Sequence, residues 1–278
     1  MILYGALAIV CLTYAAAAAE LRPVEQLIPK ELRADQNLIA IAKSMDQGYG
    51  KDFGGVSRND EGRVIMLIAD REVVYDDGKV KSFEETLNDP DIKNCFSLLY
   101  PLTNPTDKVP KNFDPGRIRV EKMFKALYGA SEQEVAANCV TVIFCGHRVR
   151  FSARCGAALA LESVGKELNE VFRTRPDLKE YVAELGGTFT WRKIAGTERL
   201  SNHSFANAID LNVKKSAYWR WASPTSLDGF TRMGWPVQII EAFERHGFIW
   251  GGKWWHYDTM HFEFRPELIA YSKIRKLK

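Results

Sequence analysis

Two short segments near the C-terminal end hold the residues that could do chemistry: SNHSFANAID (201–210) and WWHYDTMHFEF (254–264). Between them they offer the imidazoles of His203 and His261, the carboxylate of Asp210 and, three residues before His261, a second carboxylate at Asp258. A catalytic zinc ion needs three protein ligands, an open fourth position for water and a nearby base to take the water's proton. The two segments supply each of these parts once, so the chemistry they point to is metal-assisted hydrolysis. Spacing alone leaves other readings open, because a lone histidine is more often structural than a ligand. His147 and His246 have no aspartate within seven residues. His256 lies in Trp254-Trp255-His256-Tyr257, where ring packing or a place in a substrate groove competes with ligation.

The elements that must position these groups are short strands. In Ala208 to Val213 the alternation predicts Ile209, Leu211 and Val213 toward the core and Ala208, Asp210 and Asn212 toward a cleft. In His261 to Arg265 it sets Phe262 and Phe264 against His261, Glu263 and Arg265. Two such strands side by side give a sheet with an apolar back and a polar face carrying Asp210 and His261. A third strand is expected at Thr188 to Arg192, and an amphipathic helix over about 236–246, stopped by Gly247. Of Trp191, Trp235, Trp250, Trp254 and Trp255, at least three are expected in packing. Tyr218, Trp219 and Trp221 fall between the two motifs, where a loop could line a substrate cleft.

Upstream, residues 24–48 carry helical spacing and Val64 to Ile68 reads as a strand. Asp76-Asp77-Gly78 reads as a turn, and four prolines between Pro101 and Pro115 as an extended connection. Helical spacing returns with Ile118, Val120, Met123, Phe124 and Leu127, and again over residues 155–185 with a break at Pro176. The fold class expected is α+β: a small antiparallel sheet carrying the metal site, flanked by helices, with an N-terminal helical or mixed extension. The expected division is 1–19 as an export segment, 20–134 as an N-terminal region of unassigned role, and 135–278 as the domain with the chemistry.

The 278 residues are 46% hydrophobic and 26% charged, enough for a sizeable core. A net charge of +3 gives no reason to expect nucleic acid, and no stable protein partner is predicted. Ile2 to Ala19 is an unbroken apolar and small-residue run ending in Ala17-Ala18-Ala19 before Glu20, which fits a secretory signal with cleavage after Ala19. No Lys or Arg precedes the run, so an uncleaved membrane anchor is the alternative. The expected location is therefore exported, periplasmic or extracellular. Cleavage would leave Cys95, Cys139, Cys145 and Cys155. A hairpin centred on His147 would set Cys139 opposite Cys155 as a disulfide, with ordinary buried thiols as the other reading.

The pattern Ser-x-His-(six residues)-Asp, followed later by Asp-x-x-His-Phe-Glu, resembles the D-alanyl-D-alanine carboxypeptidase family of zinc peptidases. That family includes VanY-type carboxypeptidases and phage L-alanyl-D-glutamate endolysins. The resemblance covers roughly residues 186–268, including FTWR, SNHSFANAIDLN and GFIWGGKWWHYDTMHFEFRPEL. It implies one Zn²⁺ ion held by His203, Asp210 and His261, with Asp258 as the acid–base residue. Arg192 would polarise the scissile carbonyl, with Arg199 its competitor. Ser201, Glu263, Trp255 and His256 would support the ligands or meet the substrate. Many members have Gly where this chain has Ala206 or Asn207, and Asn207 is expected to tolerate a left-handed turn there.

The function implied is a secreted zinc metallopeptidase acting on peptidoglycan stem peptides, foremost as a D-alanyl-D-alanine carboxypeptidase. The alternatives are an L-alanyl-D-glutamate endopeptidase, a non-catalytic zinc-containing cell-wall binding module, and an amidase or general dipeptidase using the same ion.

Overall fold

The computed structural model describes residues 21–103, 109–221 and 234–276. The apolar run at 1–19 and its cleavage site lie outside the described residues. Three small antiparallel sheets and their flanking helices make an α+β architecture. The first sheet is β1 (Phe53–Arg58), β2 (Val64–Ile68) and β3 (Arg71–Val74), in that order. Next comes the hairpin of β4 (Cys139–Phe144) and β5 (His147–Ser152). The third sheet has β8 (His261–Phe264) between β6 (Ala208–Asp210) and β7 (Phe248–Trp250).

Among the described residues, the helices of eight residues or more that flank these sheets are α1 (Gln36–Tyr49), α2 (Glu121–Tyr128), α3 (Ala157–Thr174), α4 (Val237–Arg245) and α5 (Pro266–Lys276). The Asp35 carboxylate accepts the Asn37 and Leu38 amides and so fixes where α1 begins. This cap, with Pro29 before it, divides the predicted helix at 24–48 into a turn at Val24–Leu27 and α1 proper. α1 runs against α5 so closely that a Cβ at Gly48 would lie 2.8 Å from the Glu267 backbone nitrogen. One continuous apolar cluster runs from Leu27 through Met45, Phe124 and Phe151 to Phe243, Phe262 and Tyr271, and the third sheet leans on it.

Several elements differ from expectation for local reasons. Thr188–Arg192 forms no strand, because its backbone is spent on the turn that carries His203. The Thr190 amide donates to the His203 carbonyl, and the Ser204 hydroxyl and Ser201 amide both donate to the Arg192 carbonyl. β6 ends at Asp210, so alternation stops there: Ala208 and Asn212 are buried, and Val213 is exposed at the head of a short 3₁₀ turn. Ile118 and Val120 precede α2 instead of joining it, Ile118 in a bend and Val120 in extended backbone. The β4–β5 hairpin turns at Cys145-Gly146, both with positive φ, and its register sets Cys139 opposite Ser152. Cys155 lies beyond the strand in a left-handed residue, and Cys95, Cys139, Cys145 and Cys155 are all free thiols. Trp235, Trp250 and Trp254 are buried as core, as expected for three of the five.

Candidate metal centre

β6 and β8 pair antiparallel with Asp210 directly opposite His261, which puts those two side chains on one face. His203 arrives from a 3₁₀ turn, Asn202–Phe205. The Ser201 side chain caps its start, and its end is a left-handed residue at Ala206, φ 50°. The residue in the left-handed region is therefore Ala206 and not Asn207; at this position a glycine would carry no Cβ penalty. The Ser152 amide donates to the Ala206 carbonyl at 2.8 Å, and the Phe264 amide to the Asn207 carbonyl at 2.8 Å. The turn is thus tied to both β5 and β8.

Asp210 sits between the two imidazoles. Its Oδ2 lies 3.2 Å from His203 Nε2 and its Oδ1 2.9 Å from His261 Nδ1. The far nitrogens are spoken for: His203 Nδ1 lies 2.6 Å from the Thr188 carbonyl, and His261 Nε2 lies 3.1 Å from Glu263 Oε2. A carbonyl or an ionised carboxylate only accepts, so in the neutral tautomer each far nitrogen carries the hydrogen. The inner nitrogens then present lone pairs toward carboxylate oxygens, an arrangement that needs protons or a cation between them. The donor set, two imidazole nitrogens and a carboxylate, suits zinc, and the three ligand atoms lie within 4.8 Å of one another. Asn202, Arg119 and Arg265 hold Glu263, so the group behind His261 is itself fixed.

Asp258 lines the same cavity of about 90 Å³, and its Oδ1 is buried without a hydrogen-bond partner. The turn that places it closes through the His261 amide and the Asp258 carbonyl, 3.2 Å, and through the Asp258 amide and the Gly251 carbonyl, 3.1 Å. Burial pushes its carboxyl up to about 6, helped by the Asp210 charge and opposed by His261 and Arg117. Burial also acts on Asp210, but the His203 and His261 rings hold that carboxyl well below the usual range. Two carboxylates in one cavity are thus pushed apart in acidity, one suited to ligating a cation and the other to moving protons.

Of the other predicted residues, Arg192, Arg199 and Ser201 line the cavity. Arg192 is exposed, with its backbone amide donating to Ser204 Oγ at 3.0 Å. Glu263 is wholly buried behind His261. Trp255 and His256 do not line the cavity: the Trp255 amide donates to the Phe113 carbonyl, and His256 Nδ1 lies 2.6 Å from the Asp114 carboxylate. His256 also meets the Trp219 ring at 4.6 Å between centroids, so it is held between a buried carboxylate and a packed ring. Arg117, Arg119, Asn202 and Tyr218 also line the cavity, and the arginines come from far upstream. The signal for them is the alternation Arg117-Ile118-Arg119-Val120, whose apolar members are buried.

These features, a three-ligand group on a small sheet that could hold a metal ion and an unpartnered carboxylate oxygen beside it, are the parts that a metal-dependent hydrolase needs. Residues 195–264 match the family model described as D-alanyl-D-alanine carboxypeptidase, which supports the VanY-type zinc peptidase family and action on peptidoglycan at the level of the family. The matched residues hold His203, Asp210, Asp258 and His261, and exclude Arg117, Arg119 and Arg192. No curated protein and no solved structure matches the chain.

Proposed function

We propose that this chain is an exported zinc-dependent peptidase that removes the terminal D-alanine from peptidoglycan stem peptides. The observation that carries it is the buried Asp258 Oδ1, without a hydrogen-bond partner, in the cavity shared by His203, Asp210 and His261. Those three would hold the ion. When bound, zinc supplies Lewis-acid polarisation of a carbonyl and lowers the pKa of the attacking water. Asp258 takes the proton from that water and returns it to the leaving amine nitrogen. Arg192 donates to the scissile carbonyl oxygen as negative charge develops on it. Thr188 and Glu263 hold the two imidazoles in the tautomers that leave His203 Nε2 and His261 Nδ1 free to ligate.

The small volume of the cavity favours a substrate end over a through-running chain, and so terminal trimming over cleavage within the stem. The apolar run before Glu20 supports export, with an uncleaved membrane anchor as the alternative. Mass spectrometry of purified muropeptides incubated with the protein tests the proposal. Loss of one terminal alanine is the expected result. Release of a di- or tripeptide would replace the carboxypeptidase reading with the endopeptidase one, and unchanged muropeptides would overturn both.

A further inference from the structure

Cations outnumber the anions available to them in the wall of the cavity. Arg117, Arg119, Arg192 and Arg199 line it, facing only Asp210 and Asp258. Asp210 is already engaged by both imidazoles. Among the described residues Arg119 alone of the four has a carboxylate partner, Glu263 Oε2 at 3.4 Å. Arg117 is half-buried: it donates to the His256 carbonyl at 3.2 Å and lies over the Trp254 ring, 5.4 Å from its centroid. Arg199 is half-buried too, and its Nε is buried with no hydrogen-bond partner.

Two guanidiniums held near one another, one with an unspent buried donor, form an arrangement that an anion relieves. Burial and the neighbouring charge of Arg117 both depress the Arg199 pKa, which places the two groups within electrostatic reach. The planar fork of a guanidinium matches a carboxylate through two parallel hydrogen bonds. Stacking on Trp254 limits the freedom of Arg117 and lowers the ordering cost of such a contact.

We propose that Arg117 and Arg199 form a carboxylate-binding subsite that reads an anionic group of the peptide next to the scissile bond. The subsite rests on the peptidase reading of the metal centre. Its chemistry is shared by two sources, the free C-terminal carboxylate of the peptide and the carboxylate of an interior glutamate.

Titration calorimetry tests it on the zinc-loaded Asp258→Asn protein, which keeps substrate intact. The probes are a stem peptide ending in D-alanyl-D-alanine as the free acid, the same peptide with a C-terminal amide, and the same peptide with its glutamate carboxylate amidated. One amidation is expected to weaken binding by ~10-fold or more, and which one identifies the source. Adding Arg117→Gln or Arg199→Gln should bring acid and amide to about equal affinity, with Arg199→Lys in between because it keeps the charge and loses the fork. Circular dichroism of each variant checks that the fold is kept. Indifference to both amidations, survival of the acid preference in both Gln variants, or no binding by any probe would overturn the subsite. Turnover is not read here, so a protein that prefers the acid yet leaves every muropeptide intact would lose the peptidase reading and keep the subsite.

Discussion

Among the described residues two groups of side chains bring three candidate ligand atoms within 4.8 Å of one another: His203, Asp210 and His261 at the third sheet, and Asp76, Asp77 and Asp91 after the first. By proximity alone they are equals. They differ in what stands behind each ligand. At the acidic group, Lys81 Nζ lies 2.7 Å from Asp77 and 3.8 Å from Asp91, Lys79 reaches Asp77 at 3.6 Å, and Lys93 pairs with Asp76. Asp91 also accepts the Asn94 and Asp77 amides, as a helix cap and turn brace. Its anions are already matched, and a cation would have to displace lysines. At the imidazole group the far nitrogens are held by an acceptor each and the near ones face a carboxylate. The partners of each ligand decide between a structural cluster and a metal centre, and crowding of acids does not.

That contrast predicts effects that decline from the imidazole group outward. Asp258→Asn should lower stem-peptide hydrolysis by ~10²–10⁴-fold with zinc content unchanged, since it removes the acid–base group and no ligand. A rate within a few-fold of the wild type would move the proton transfer elsewhere. Next comes Glu263, fully buried between His261, Asn202, Arg119 and Arg265. Glu263→Ala leaves two buried guanidiniums short of a partner and should cost ~3–5 kcal/mol in denaturant unfolding. A loss under ~1 kcal/mol would mean that the charges behind His261 are not what holds it.

The smallest effect belongs to the acidic group. Burial works to raise Asp77, but the Lys81 hydrogen bond, the Lys79 amide and both lysine charges bring its carboxyl down to about 2. A carboxyl with a depressed folded-state pKa stabilises the fold above its unfolded value, and the contribution disappears as pH falls through the folded value. Asp77→Asn should therefore cost no more than ~1 kcal/mol at pH 7, after allowance for solvent screening near the surface. The gap between variant and wild type should close between about pH 4 and pH 2. Comparing unfolding midpoints across that range checks it, and a gap independent of pH would remove the charge from the explanation.

The metal group is legible in the sequence because its order and spacing are local: His203 and Asp210 lie seven residues apart, and Asp258 and His261 three. Alternation along His261 to Arg265 also predicts a strand, and the pairing of β6 with β8 does put Asp210 and His261 on a shared face. The polar face, however, is not a solvated one, since Glu263 and Arg265 are fully buried and Arg265 is paired to Glu267 as well. Burial of that kind depends on side chains brought by α1 and α2, with Tyr49 donating to Glu267 and the Phe124 ring beneath the Arg265 guanidinium. No window of sequence around residue 263 contains those partners.

Arg192 and Arg199 stand beside the sequence motifs, but the other half of the cationic wall escapes them for the same reason. Arg117 and Arg119 lie well upstream of the metal residues, and only the tertiary fold brings them to the cavity. Thr188–Arg192 has the composition of a strand, yet its hydrogen bonds go to the His203 turn, which local propensity does not register.

Metal content by elemental analysis puts the comparison of the two groups to the most direct test. After loading and desalting, the wild type and Asp77→Asn should each carry ~1 zinc per chain, and His203→Ala close to none. Zinc retained by His203→Ala, or lost from Asp77→Asn, would contradict the assignment of the ion to His203, Asp210 and His261.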